Sequence, residues 1–378
     1  MSDIMKIKEY FLSCVAAVIN GGDTPDMPED VEPEKVFELA VRNASQTLLY
    51  YANENRRVFP DVVSLKLKKA FQAAVMRETG QQAEIAKIRT EFAEKSLDFM
   101  LLKGAHLKGL YPKSEMRFMV DMDVLVKAED VEAAKEILLT HGLRQQMNNE
   151  KDIVLVKAPF LTVELHNSLF VEDNYMHGYF TGVWDRAQPT GDGEYAMSDN
   201  DLYIYTLAHL AEHYTAAGSC FRPVIDIYLM NEKYADRLDR AYIEAELEKL
   251  ELCEFEKKIR SLGECIFKGA QYDDALTLME NYIVFGPPVK NAAEAVNADK
   301  SKATRIRRML FPNLRHMQRL FPILEKLPFL LPFFWAVRFF RYAFTKRARA
   351  KLKAISTTDN EQYGMLKKIY EDSGIKKY

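Results

Sequence analysis

The run Phe118–Val126, FMVDMDVLV, constrains this chain more than any other stretch. It is apolar apart from Asp121 and Asp123, two acids one residue apart. The alternation predicts a β-strand, in which residues i and i+2 share a face. Asp121 and Asp123 then stand side by side, while Met122, Val124 and Val126 turn toward a core. Carboxylates held that close repel each other unless a cation sits between them. A strand end carrying two solvated acids has the same letters, so the pair alone does not decide.

The flanking residues add to it. Asp98–Leu102 is a short apolar run that predicts a buried strand, broken by Lys103-Gly104. A brief helix follows over Ala105–Leu110 and stops at Tyr111-Pro112, because the residue before proline disfavours the helical region. A glycine between strand and helix lets a phosphate approach the backbone, where free N–H groups point outward. Lys103 would add a positive charge; a plain turn is the simpler reading of Lys-Gly. Arg117, four residues before Asp121, could meet a triphosphate or a neighbouring acid. In Thr162–His166, Val163 and Leu165 belong to a core, so Glu164 faces the other way with His166. On an adjacent strand Glu164 supplies a third carboxylate beside the pair. Three such acids next to a glycine turn suit two Mg²⁺ ions and phosphoryl transfer from an NTP such as ATP.

The rest of the chain frames this centre. Its 378 residues suffice for two or three packed units. Residues 1–96 read as helical: 4–20, closed by Asn20-Gly21-Gly22, then Lys35–Asn53, then one or two long helices over Asp61–Ser96. Residues 97–190 carry the mixed α/β pattern. Strands are expected at Leu143–Gln146, Ile153–Lys157 and Phe160–His166, with a helix over Glu129–His141 closed by Gly142. Residues 191–285 are helical again, and Ser198 with Asp201 forms a capping pattern. Residues 286–378 open with a Gly-Pro-Pro loop and a polar stretch to Ala303, followed by a basic, aromatic helical region. The expected class is α+β, a small mixed sheet flanked by N- and C-terminal helical regions.

Charge is unevenly spread. The chain carries −3 overall, yet Ser301–Lys353 holds 14 Lys or Arg against a single acid, Glu325. The remainder therefore carries about −16. The imbalance points the C-terminal region toward an anionic surface, whether acidic lipid, RNA or another polymer. Solvated arginines on proline-broken helices explain the same residues. Leu327–Phe344 is apolar, but Pro328, Pro332, Arg338 and Arg341 interrupt it, so a docked or interfacial helix is expected rather than a span. The four cysteines lack a Cys-x-x-Cys spacing, and the N-terminus lacks a basic segment before a long apolar one. Both fit a cytoplasmic protein, peripheral to the membrane if the basic region binds lipid.

The run LLKGxxLxxLYPxxxxRxxxDxDxLV, followed by VELHxxL, resembles the uncharacterised nucleotidyltransferases of the DNA polymerase β-like superfamily. The resemblance extends to VFELAVRNASQTLLYYA upstream, to the helix with His209 and His213 followed by PVIDI, and to FPILEKLPFLLPFFWAVRFFRY, covering about 35 to 345. It implies a Mg²⁺-dependent transfer of NMP from an NTP to a hydroxyl or phosphate acceptor. It maps Asp121, Asp123 and Glu164 onto the metal-binding acids and Gly104 onto the phosphate-turn glycine. Lys103 and Arg117 join Gly104 as expected nucleotide contacts, and His166, His209, His213 and Asp226 as supporting residues. Two departures stand out: Ala105 replaces a common Ser or Gly, removing a hydroxyl donor, and the spacer to Asp121 is long. A catalytically inactive nucleotide-binding or regulatory protein on the same scaffold is the alternative. His209-Leu-Ala-Glu212-His213 also matches HxxEH, an inverted zinc-protease motif, although five residues with three fixed are easily met within a helix.

Overall fold

The structure, a computed structural model, describes residues 3–216, 221–287, 307, 310–312, 314–321, 323–343 and 360–376. Of the loop expected from Gly286 to Ala303, residues 288–303 lie outside the described residues, as does the basic run 344–353.

Four helices come first: α1 (Asp3–Asn20), α2 (Pro33–Arg42), α3 (Gln46–Arg56) and the 34-residue α4 (Asp61–Glu94). The single helix expected over Lys35–Asn53 is two. The break falls at Asn43–Ser45, where Ala44 adopts φ 51° and the chain turns. Asn43 holds that turn. Its buried amide donates to the Leu39 and Val284 carbonyls and accepts from the Phe221 N–H, tying three distant segments together. A side chain that competes with the helix for backbone partners overrides the apolar period.

The α+β core follows: β1 (Phe99–Leu101), α5 (Lys103–Leu107), two 3₁₀ turns, β2 (Met122–Val126), α6 (Val131–Thr140), β3 (Arg144–Asn148), β4 (Asp152–Lys157) and β5 (Leu161–His166). Two short helices, α7 (His177–Phe180) and α8 (Val183–Arg186), lead to β6 (Gln188–Pro189) and β7 (Glu194–Ala196). The seven strands form one mixed sheet in the order β3-β4-β5-β2-β1-β7-β6. Its centre is β2, antiparallel to β1 and parallel to β5. The sheet runs past residue 190, because β7 adds in parallel to β1 across the turn at Gly191–Gly193.

Strand alternation divides the residues between two cores. Met122, Val124, Val126, Val163 and Leu165 pack with Ile85, Ile88 and Phe92 of α4 and Leu138 of α6. On the opposite face, Met100 and Leu125 join the large core of the helical regions. That core is built from α1–α3, α9 (Asp199–Ala216), α10 (Arg222–Lys233), α11 (Arg240–Lys249), α12 (Cys253–Lys268) and α13 (Asp274–Phe285). Ser198 starts α9 as the capping pattern predicts, its hydroxyl accepting from the Asp201 N–H at 3.1 Å. Further helices lie at Leu314–Leu320, Leu331–Ala343 and Asn360–Asp372. No helix among the described residues is long and apolar enough to cross a membrane.

Candidate active site

Register builds the site. The β2–β5 ladder pairs Asp123 with Glu164 and Leu125 with His166, so Asp123, Glu164 and His166 share the face away from the α4 core. Asp121 lies one residue before β2 begins and two before Asp123. The ligand-capable atoms of Asp123, Glu164 and His166 lie within 4.8 Å of one another. His166 Nε2 stands 3.3 Å from Asp123 Oδ1 and 3.5 Å from Glu164 Oε2. The imidazole that the sequence places beside the acids is thus part of their cluster.

Lys103 meets the same carboxylate. The Leu102 N–H donates to the Asp123 carbonyl at 3.0 Å, which sets the start of α5 against the acidic end of β2. Lys103 Nζ then donates to Asp123 Oδ2 at 2.7 Å and lies over the Tyr205 ring of α9. The two strand acids consequently titrate in opposite directions. Burial, then Asp123, then Glu164 raise Asp121 from an ordinary 3.8 to about 6. Burial also opposes ionisation of Asp123, but Lys103 and His166 outweigh it and hold that carboxyl well below the usual range. His166 is raised: its bonds to Asp123 and Glu164 overcome burial.

Gly104 leaves no room for a side chain. A Cβ there would run into the Met119 sulfur and lie 3.3 Å from Arg117 Nη1. The position is filled by protein beneath it, and the helix it opens has only five residues. Arg117 is buried and makes a two-pronged ion pair with Asp226 of α10, both contacts at 2.8 Å. Tyr111 Oη donates to the same carboxylate at 2.8 Å. Of the two partners expected for Arg117, a triphosphate or a neighbouring acid, this pair is with an acid. Asp226, expected as a supporting residue, thus holds Arg117 and Tyr111.

Helix α9 forms the opposite wall. His209 packs edge-on against Tyr205, and its Nε2 lies 3.1 Å from that of His213. Burial and the Lys103 ammonium hold His209 well below its ordinary value, so it is neutral; the same influences lower His213, although part of its ring reaches the surface. Two arginines that sequence reading passed over also attend the acids. Arg77 of α4 donates to the Val120 and Phe160 carbonyls at 3.2 and 3.1 Å, clamping the segments that enter β2 and β5. Arg222, the first residue of α10, donates to the Phe118 carbonyl, and its charge favours ionised Asp121. The proline after Arg222 marks a helix start, which was the available signal.

Two carboxylates on paired strands, with Asp121 just ahead of them and Lys103 and His166 bonded to Asp123, are suited to cations and phosphates. The family of uncharacterised nucleotidyltransferases matches residues 29–268. The chain belongs to that family. No curated protein and no solved structure matches it. The span matched by the uncharacterised nucleotidyltransferase family contains Lys103, all three acids, His166 and the α9 histidines, and it ends with α12. Membership supports nucleotidyl transfer as the general role and does not favour a metalloprotease.

Proposed function

We propose that this protein transfers NMP from an NTP to a hydroxyl or phosphate acceptor, with Asp121, Asp123 and Glu164 holding Mg²⁺. The observation that carries the reading is the in-register pairing of Asp123 with Glu164, two residues after a half-buried Asp121 whose carboxyl is pushed up to about 6. Crowded oxygen donors that resist ionisation together fit hard divalent cations. When bound, such ions neutralise the phosphates and make the acceptor a better nucleophile.

The chain's own residues then do three things. Asp121, Asp123 and Glu164 provide anionic oxygens on a rigid strand pair, so positioning is set before substrate arrives. Lys103 neutralises Asp123 at 2.7 Å; were a cation held on that carboxylate, the ammonium would be available to a phosphate. Arg222, whose charge favours ionised Asp121, adds a second positive charge on the same side. His166 donates to Asp123 and Glu164 and fixes their orientation.

Asp121→Asn combined with Asp123→Asn is expected to lower transfer by about 100- to 1000-fold or more while circular dichroism stays native. Full activity in the double variant would refute the site. The inactive alternative has one observation in its favour, the internal neutralisation of Asp123 by Lys103 and His166. Calorimetry with NTP and Mg²⁺ separates the two: binding without turnover across a broad acceptor panel identifies a regulatory protein.

A further inference from the structure

We propose that His209, Glu212 and His213 of α9 form a second metal site, for a transition-metal cation of the zinc class, beside the acidic cluster and separate from it. One ligand atom from each of the three side chains lies within 4.8 Å of the others. The two imidazole Nε2 atoms are 3.1 Å apart. Two nitrogens bound at about 2.0–2.1 Å to one tetrahedral zinc are separated by about 3.3–3.4 Å, so the pair needs almost no movement to share an ion.

The helix explains the arrangement. Positions i and i+4 project together, and i+3 lies on the same side, so one rigid element supplies the three donors. Glu212 is held from outside: Asn174 donates to its Oε1 at 3.1 Å, and Lys151 Nζ stands 3.7 Å from Oε2. A ligand carboxylate oriented by a neighbouring donor is how protein metal sites fix their geometry. His213 lies at the surface, so an ion can enter without opening the core.

The donor set is richer in nitrogen than the first site, where a single imidazole, His166, stands among carboxylates. Two imidazoles and one carboxylate suit zinc, cobalt or nickel, whereas carboxylate oxygens suit magnesium. Three protein ligands leave a fourth position for water or a donor atom from a substrate. His209 meets Tyr205 edge-on, and Lys103, which donates to Asp123, lies over the same Tyr205 ring, so the site stands beside the acidic cluster. Glu212 belongs to the ligand set here, which distinguishes the site from a protease in which that glutamate would act on water.

The test uses the full chain stripped of metal and titrated with Co²⁺, then with Zn²⁺ in competition. Wild type and the Asp121→Asn/Asp123→Asn variant are both expected to take one equivalent of Co²⁺ with tetrahedral ligand-field bands that Zn²⁺ abolishes. His213→Ala, a surface substitution, and Glu212→Gln, nearly isosteric, are expected to lose those bands while keeping the native circular dichroism spectrum. The proposal is overturned if wild type takes up no stoichiometric Co²⁺ or Zn²⁺. It is equally overturned if both folded α9 variants bind like wild type, or if the bands depend on Asp121 and Asp123 instead. The readout is spectroscopic, so it stands whether or not nucleotidyl transfer is observed.

Discussion

Asp121 and Asp123 show how one residue of spacing separates two chemical behaviours. Asp123 is neutralised by Lys103 and His166, whereas Asp121 has its charge opposed by burial, Asp123 and Glu164. The raised Asp121 carboxyl has a definite consequence for stability. A group whose folded pKa exceeds its unfolded value stabilises the fold at low pH and loses that contribution as pH rises through the folded value. For Asp121 the loss spans from an ordinary 3.8 to about 6. Asp121→Asn is therefore expected to stabilise the ion-free protein by about 1–3 kcal/mol at neutral pH, read by denaturant unfolding, even as it removes transfer. Divalent cations bind the ionised form and compete with the proton. The rise in Tm on adding Mg²⁺ should accordingly be larger well above pH 6 than well below it. Equal increments on both sides would show that Asp121 does not hold the ion.

Between elements, the contact that fixes the site is the buried triad of Tyr111, Arg117 and Asp226. It ties the segment entering β2 to α10, and so holds the α9–α10 pair over the acidic face of the sheet. Asp226→Ala leaves a buried guanidinium without its counter-charge and is expected to cost about 3–5 kcal/mol. Gly104→Ala presses a methyl group into Met119 and is expected to cost about 1–3 kcal/mol; both are measurable by urea denaturation. A Gly104→Ala protein of unchanged stability but weakened NTP affinity would instead support the phosphate-turn role. These elements also show what sequence could reveal. Alternation around Asp121, Asp123 and Glu164 was readable because a strand has period two and both faces are occupied. The helix start at Ser198 was readable from local chemistry. The partners of Arg117, 109 residues away in sequence, were not, because a lone arginine carries no record of which acid it meets. The split at Asn43 was hidden likewise, since its cause is a side chain bonded to Phe221 and Val284. The short β6 and β7 have too few residues for a periodic signal.

At the scale of the molecule, the matched family span is not a structural unit. It begins after α1 and ends before α13, yet both helices are embedded in the main core. Phe11, Cys14 and Val15 of α1 are fully buried, and Phe11 meets Phe221 edge-on at the start of α10. Lys8 is buried against Glu280 of α13 and donates to Asn281 at 2.8 Å, so the chain's first and later helices close on each other. Farther on, Tyr282 Oη donates to the Tyr214 carbonyl at 2.7 Å, and Tyr370 Oη to that of Thr215 at 3.0 Å. These contacts hold the C-terminal end of α9, the helix that carries His209 and His213. Residues 29–268 expressed alone would expose the apolar faces that α1, α13 and Asn360–Asp372 now cover. We expect that fragment to aggregate or to unfold without a cooperative transition, whereas the full chain melts cooperatively. Phe11→Ala in the full chain is the milder probe, expected to cost about 3–5 kcal/mol through the cavity left beside Phe221. Because that cavity lies under α10 and not under the sheet, the variant should retain its Mg²⁺-dependent transfer at temperatures below its lowered Tm. A cooperatively folding 29–268 fragment, or a Phe11→Ala variant of unaltered stability, would show instead that the catalytic half stands independently of the helices packed around it.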